Sequence, residues 1–208
     1  MWAREPDAAG DVDRDGVKLH YEVFGDGEPT LLLMPTWTIV HARFWKAQVP
    51  YLARHFRVVT YDGPGNGLSD RPLASAPSGS DAEGQAEDFV ALFFDQCFPE
   101  PHSTKQVEDC VGWGLETTPQ VLIAAEEAGA PDEAAIRHWC SRAARPALVI
   151  HGDQDRINPL RSGAALARAT GGNLVVLEGA GHIANARDPV RVNRLIREFA
   201  ESLPGGPG

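Results

Sequence analysis

The sequence predicts an α/β fold, a mostly parallel sheet covered by helices, and three observations carry the prediction. Residues 30–34, 147–150 and 174–177 are short apolar runs without a polar face, the pattern of strands buried on both sides. Segments with apolar residues at helical spacing alternate with these runs. Glycine-rich breaks stand at strand ends, as in Asp62-Gly63-Pro64-Gly65-Asn66-Gly67 and Gly179-Ala180-Gly181.

Asp15-Gly16 reads as a hairpin turn, and residues 17–24 alternate apolar and polar side chains as a half-buried strand does. Gly25-Asp26-Gly27 turns the chain into the strand at 30–34. Residues 44–53 place Phe44, Trp45, Gln48, Val49 and Leu52 at helical spacing, with Pro50 removing one backbone donor. Residues 56–61 form the next strand, which completes a βαβ unit. From Pro72 the chain turns rich in Ala, Ser, Gly and Pro, so residues 73–85 read as a flexible linker. Helical patterns follow at 87–97, 106–112, 119–128 and 132–144, the third opened by Thr117-Thr118-Pro119. The strand style resumes at 147–150. A helix at 160–169 is stopped by Gly171-Gly172, a strand follows at 174–177, and an amphipathic helix spans 189–203 before a frayed tail at 204–208.

At 208 residues this is one domain by length, and 43% apolar residues suffice for a packed core. A net charge of −10 argues against a nucleic-acid or anionic-membrane surface, because both need a positive field. No apolar stretch approaches a membrane span, and residues 1–10, with Arg4, Glu5 and Asp7, lack the apolar core of a secretory signal. Cys97, Cys110 and Cys140 are odd in number and lack metal-ligand spacing, which reads as reduced thiols in a cytoplasmic protein. The expected partner is a small-molecule substrate or ligand, with no cofactor and no metal.

Two loops carry the chemistry. Gly152-Asp153-Gln154-Asp155 follows the run at 147–150, and Gly181-His182 follows the run at 174–177. Strand-end loops on one edge of a parallel sheet converge, so Asp155 and His182 are predicted to share a site. A buried carboxylate holds an imidazole in one tautomer and stabilises its cation, which is what a histidine base requires. The competing reading makes Asp155 a cap for the helix near Pro159 and His182 an ordinary loop residue.

With those residues in place, the chain resembles the α/β-hydrolase superfamily, of the type of proline iminopeptidases, haloperoxidase-like esterases and C–C bond hydrolases. Tyr61-Asp62-Gly63-Pro64-Gly65-Asn66-Gly67-Leu68-Ser69-Asp70-Arg71-Pro72 resembles that family's Asp-x-x-Gly-x-Gly-x-Ser segment. Residues 31–36 resemble its third strand and oxyanion loop, with Pro35-Thr36 where His-Gly is usual, and the resemblance gives Trp37 one oxyanion N–H. Gly152 to Pro159 resembles the acid segment, with Asp155 as the acid, and Gly181-His182 followed by Arg187-Asp188-Pro189 resembles the histidine segment. The match covers about residues 17–72 and 145–203. It implies a core at 1–72 and 145–203, interrupted by the linker at 73–85 and a helical lid-like segment at 86–144.

The middle departs from the pattern. The Gly-x-Ser-x-Gly elbow that carries the nucleophile occurs nowhere in the sequence. The resemblance therefore implies a missing block with two central strands, the serine and the second oxyanion N–H. The runs at 31–34 and 147–150 must then either pair directly or leave the sheet in two halves, whose open apolar edges invite self-association. Two readings of function stand. In one the chain is a hydrolase of esters, amides or C–C bonds with an ancestral Ser-His-Asp triad; in the other it is a catalytically inactive relative, whether a binding protein or a truncated gene product.

Other signals are weaker. Ser78-Gly79-Ser80-Asp81-Ala82 has the small-x-Ser-x-small form but follows polar linker, not a strand. Ser69 reads as a turn residue, and the three cysteines fall in helices as inert thiols. Asp11-x-Asp13-x-Asp15-Gly16-x5-Glu22 matches a calcium-loop pattern, but neither flank is helical. The glycines at 63–67 lack the Lys-Ser/Thr ending of a phosphate loop. His151 reads as a packed strand-end residue, and Trp113 and Trp139 as core of the helical segment.

Overall fold

The computed structural model describes residues 4–37, 39–71, 80–129, 131–142 and 146–203. The N-terminal hairpin pairs β1 (Ala8–Arg14) with β2 (Val17–Phe24) in antiparallel register, Arg14 opposite Val17. Asp15 and Gly16 turn it with φ of 55° and 82°, the left-handed pair that a tight hairpin requires. The carboxylates of the calcium-like pattern serve this hairpin instead: Asp13 Oδ1 accepts from Gly16 N–H at 3.1 Å and Asp11 Oδ1 faces His20 Nδ1 at 3.0 Å.

β2 continues antiparallel to β4 (Arg57–Tyr61), which pairs in parallel with β3 (Thr30–Leu33). The helix expected over 44–53 is broken. A 3₁₀ turn covers Ala42–Trp45, and α1 is only Val49–Leu52. Pro50 sits in its first turn, because a residue without an N–H fits only where that N–H would be unpaired.

The stretch read as linker also needs correction. Residues 72–79 lie outside the described residues, but α2 (Ser80–Cys97) opens at Ser80, well before the expected start at 87. Val90, Phe94 and Cys97 lie on one side of α2 and are buried. Once that stripe docks, extending the helix backwards costs little per residue, so a weakly apolar start follows it. α3 (Thr104–Gly114), α4 (Pro119–Ala128) and α5 (Glu133–Arg142) complete the helical segment. A buried cluster joins α2, α3 and α4 through Val90, Phe94, Cys97, Cys110 and Val121 to Ile39, Val40, Phe44 and Ile183.

The C-terminal half holds β5 (Leu148–Gly152) parallel to β6 (Asn173–Leu177), joined by α6 (Leu160–Thr170). Gly171 ends α6 at φ 66°, the left-handed stop that favours glycine. A short α7 (Ala184–Arg187), absent from the sequence reading, precedes α8 (Pro189–Glu201), which Asp188 caps through Arg191 N–H.

Among the described residues the strands form a four-stranded sheet, β1-β2-β4-β3, and a separate two-stranded sheet, β5-β6. Of the two arrangements expected, the split is the one observed. α8 fastens the halves together. Its Ala200 is buried with Phe24, Val49, Leu52, Phe56 and Val58, its Val192 is buried with Leu177, and Ile196 packs against both groups. Two hydrogen bonds add to this: Gln48 Nε2 donates to Asn185 O at 2.9 Å, and Asn193 Nδ2 to Ala47 O at 2.9 Å. Leu32 and Met34, on and just beyond β3, remain 56% and 59% exposed. Among the described residues no helix is long and apolar enough to cross a membrane.

Candidate active site

The loops after β5 and β6 are laced together. Gly152 lies against the carbonyls of Ala180 and Gly181, where any Cβ would collide, so only glycine lets the loops approach this closely. Gln154 N–H donates to Ala180 O at 3.0 Å, and Gly179 N–H to Asp153 Oδ1 at 2.7 Å. Asp153 thus ties the loops and leaves Asp155 free for another task.

The structure brings Asp155 and His182 together. Asp155 Oδ2 lies 2.9 Å from His182 Nδ1, and the Asp155 side chain is only 4% exposed. Its Oδ1 accepts from the N–H groups of Ile157 and Asn158, each at 2.8 Å. These N–H groups belong to the loop before α6, whose N-cap is Pro159 with no side-chain cap, so Asp155 fixes the turn at 155–158 and does not cap the helix. A carboxylate only accepts, so His182 Nδ1 carries the proton and the neutral imidazole keeps its lone pair on Nε2. The ring is 28% exposed and reaches the cavity described below.

The support of the histidine loop was not legible in the sequence. His182 N–H donates to Cys97 O at 3.0 Å, and Gly181 N–H to Glu100 Oε1 at 2.7 Å. A Cβ on Gly181 would meet Pro99 and Cys97 O. Arg187 donates to Pro101 O at 3.0 Å. The turn after α2 therefore clasps the residues on either side of the imidazole.

A cavity of about 570 Å³ opens at His182. Trp37, Val40, Phe44, Phe89, Phe93, Phe94, Ile157 and Ile183 line it, with Thr36, Asn158 and Asn185 as its polar groups. The Trp37 ring lies 4.4 Å from that of Phe93. The oxyanion-loop residue of the sequence reading thus stands in the same cavity as the imidazole.

No nucleophile emerges among the described residues near His182. Cys97 is fully buried and its thiol is pushed up to about 12 by burial, with Cys110 and the Asp155 charge adding to the effect. Burial likewise raises Cys110 to about 12, with Asp109 adding to it. Such thiols are not thiolates near neutral pH. Ser69 is a turn residue as expected, donating to Asp62 O at 2.8 Å and accepting from His20 N–H at 2.8 Å. Ser80 is the first residue of α2, and the residues before it lie outside the described set. The glycine turn at 63–67 is closed by Asp62, whose oxygens accept from Ala42 and Leu68 N–H. Trp113 packs against the helical core, while Trp139 is exposed. Among the described residues no group of His, Cys, Asp and Glu is arranged to hold a metal ion.

No protein-family model matches the chain. Solved structures do. A hydrolase from Pseudomonas aeruginosa PA01 aligns with 93% of this chain and 98% of its own, at 23% identity and a TM-score of 0.75. A bromoperoxidase from Bacillus anthracis aligns over 94% and 99%, at 17% identity and a TM-score of 0.76. An enol-lactonase from Burkholderia xenovorans LB400 aligns over 91% and 99%, at 19% identity and a TM-score of 0.74. The fold is that of the α/β-hydrolases. Asp155 and His182 stand after successive parallel strands, β5 and β6, and β3 and β5 belong to different sheets.

Proposed function

We propose that this chain is an α/β-hydrolase-type protein for a small molecule, whose ancestral chemistry is hydrolysis of an ester, amide or C–C bond through a Ser-His-Asp triad that retains its acid and base and has no identified nucleophile. His182 is the base, Asp155 orients it, and the Trp37 N–H serves the oxyanion. The observation that carries the reading is the 2.9 Å pair between a buried carboxylate and an imidazole that reaches an aromatic cavity. The residues also favour a second reading, an inactive relative that binds its ligand without turning it over. The sequence has no elbow serine, and the buried thiols at 97 and 110 are poor nucleophiles.

The two readings separate in one experiment. Loss of the base from a working triad lowers turnover by several orders of magnitude. The expected result is that the protein and its His182→Ala variant hydrolyse p-nitrophenyl esters equally slowly and that neither takes up a fluorophosphonate label. A large drop in the variant, or a labelled residue, establishes a working nucleophile and overturns the inactive reading.

A further inference from the structure

A second imidazole stands behind the acid. His151, in β5, places Nε2 2.8 Å from Asn158 O and 3.4 Å from Asp155 Oδ2. Neither oxygen can donate, so Nε2 carries the proton and points it at the Asn158 carbonyl, with the carboxylate beside it. Asn158 is then gripped at both ends, its carbonyl by His151 and its N–H by Asp155 Oδ1 at 2.8 Å. On the far side the ring fits against Gly163 of α6, where a Cβ would lie 2.6 Å from Nδ1. The ring is therefore held between helix and loop, and its one N–H is committed to the turn that orients Asp155.

We propose that His151 is a positioning residue for the Asp155–His182 pair: its Nε2–H fixes the turn at 155–158 and so aims the carboxylate oxygen that accepts from His182. The proposal rests on the reading of that pair as acid and base, but its test does not depend on turnover. The measurement is the NMR resonance of the His182 Nδ1 proton, assigned by its disappearance in His182→Ala, together with exchange of the Ile157 and Asn158 amides. His151→Leu removes the donor. His151→Gln returns an amide N–H to roughly the place of Nε2. The leucine variant is expected to lose the resonance and to speed exchange of both amides about tenfold, the scale of one hydrogen bond. The glutamine variant is expected to restore both. Gly163→Ala, which crowds the ring from α6 without removing it, should reproduce the leucine result even if His151→Leu does not fold. A leucine variant identical to the wild type overturns the proposal, as does a glutamine variant that folds but shows no rescue. Absence of the resonance from the wild-type protein overturns the pair itself, a different failure that these readouts tell apart.

Discussion

Truncating Ile196 tests whether α8 holds the two half-sheets as one body. Ile196 packs against the core under β4 and against the core under β6, so Ile196→Ala removes the same methyl groups from both. Isoleucine-to-alanine changes in cores cost about 2–5 kcal/mol, and Ile196 is only partly buried, which places the expected loss near the lower end, about 2 kcal/mol. For a chain of this size that is a fall in melting temperature of roughly 4–8 °C. Amide exchange gives the sharper reading, since about 2 kcal/mol is a factor of roughly 30 in protection. If α8 joins the halves, Val58 in β4 and Leu177 in β6 lose that protection together. Leu177→Ala serves as a control, because Leu177 is buried in the β6 core alone and its loss should act there first. Protection lost in only one half of Ile196→Ala, or two separate melting steps in the wild type, would refute the joining of the half-sheets by α8.

Three further outcomes are expected. His41 is 2% exposed, and burial holds its pKa below the usual 6.5, with Arg43 lowering it further and Glu116 and Asp62 opposing. Its Nε2 lies 3.2 Å from Glu116 Oε2 but is not aligned as a hydrogen bond. The unfolded chain therefore binds the proton first, so the His41 contribution is intact above about pH 6.5 and is lost as pH falls through the folded value. Thermal melts should show that loss, and His41→Asn should flatten it. Residues Asp11 to Glu22 should bind no calcium at micromolar levels by calorimetry, and tight binding abolished by Glu22→Ala would contradict the hairpin account. We also propose that the exposed Leu32 and Met34 beside the open edge of β3 promote self-association. Size-exclusion chromatography should show oligomers that Leu32→Lys reduces, and a strict monomer at high concentration would refute this.

Much of the site was legible because its signals are local. Asp155 and His182 each follow an apolar run, and parallel strands put their C-terminal loops on one edge, so spacing alone predicts the meeting. The hairpin at Asp15-Gly16 was equally plain, since few residues tolerate positive φ. What was hidden depends on packing. Pro50 signalled trouble for the helix at 44–53 but not where the 3₁₀ turn would fall. The start of α2 was concealed because Ser, Ala and Gly carry no apolar stripe, and the helix there is sustained by burial further along. His151 read as a packed strand-end residue, which it is, but the role proposed for it depends on a carbonyl, Asn158 O, whose position no side-chain pattern encodes.

The same limit governs the segment that supports His182. Cys97 O, Pro99, Glu100 and Pro101 O meet the histidine loop from one side. Phe89, Phe93 and Phe94, which line the cavity, belong to the helix that delivers them. If α2 came away, the Gly181 and His182 N–H groups would lose their acceptors and the cavity would lose its aromatic wall together. Docking of the helical segment and formation of the site are therefore one event. Its energy comes from the cluster that joins Val90, Phe94 and Cys97 to Ile39, Phe44 and Ile183. A polar substitution there, such as Val90→Asp, would bury an unpaired charge and should disorder the His182 loop without touching any residue of the pair.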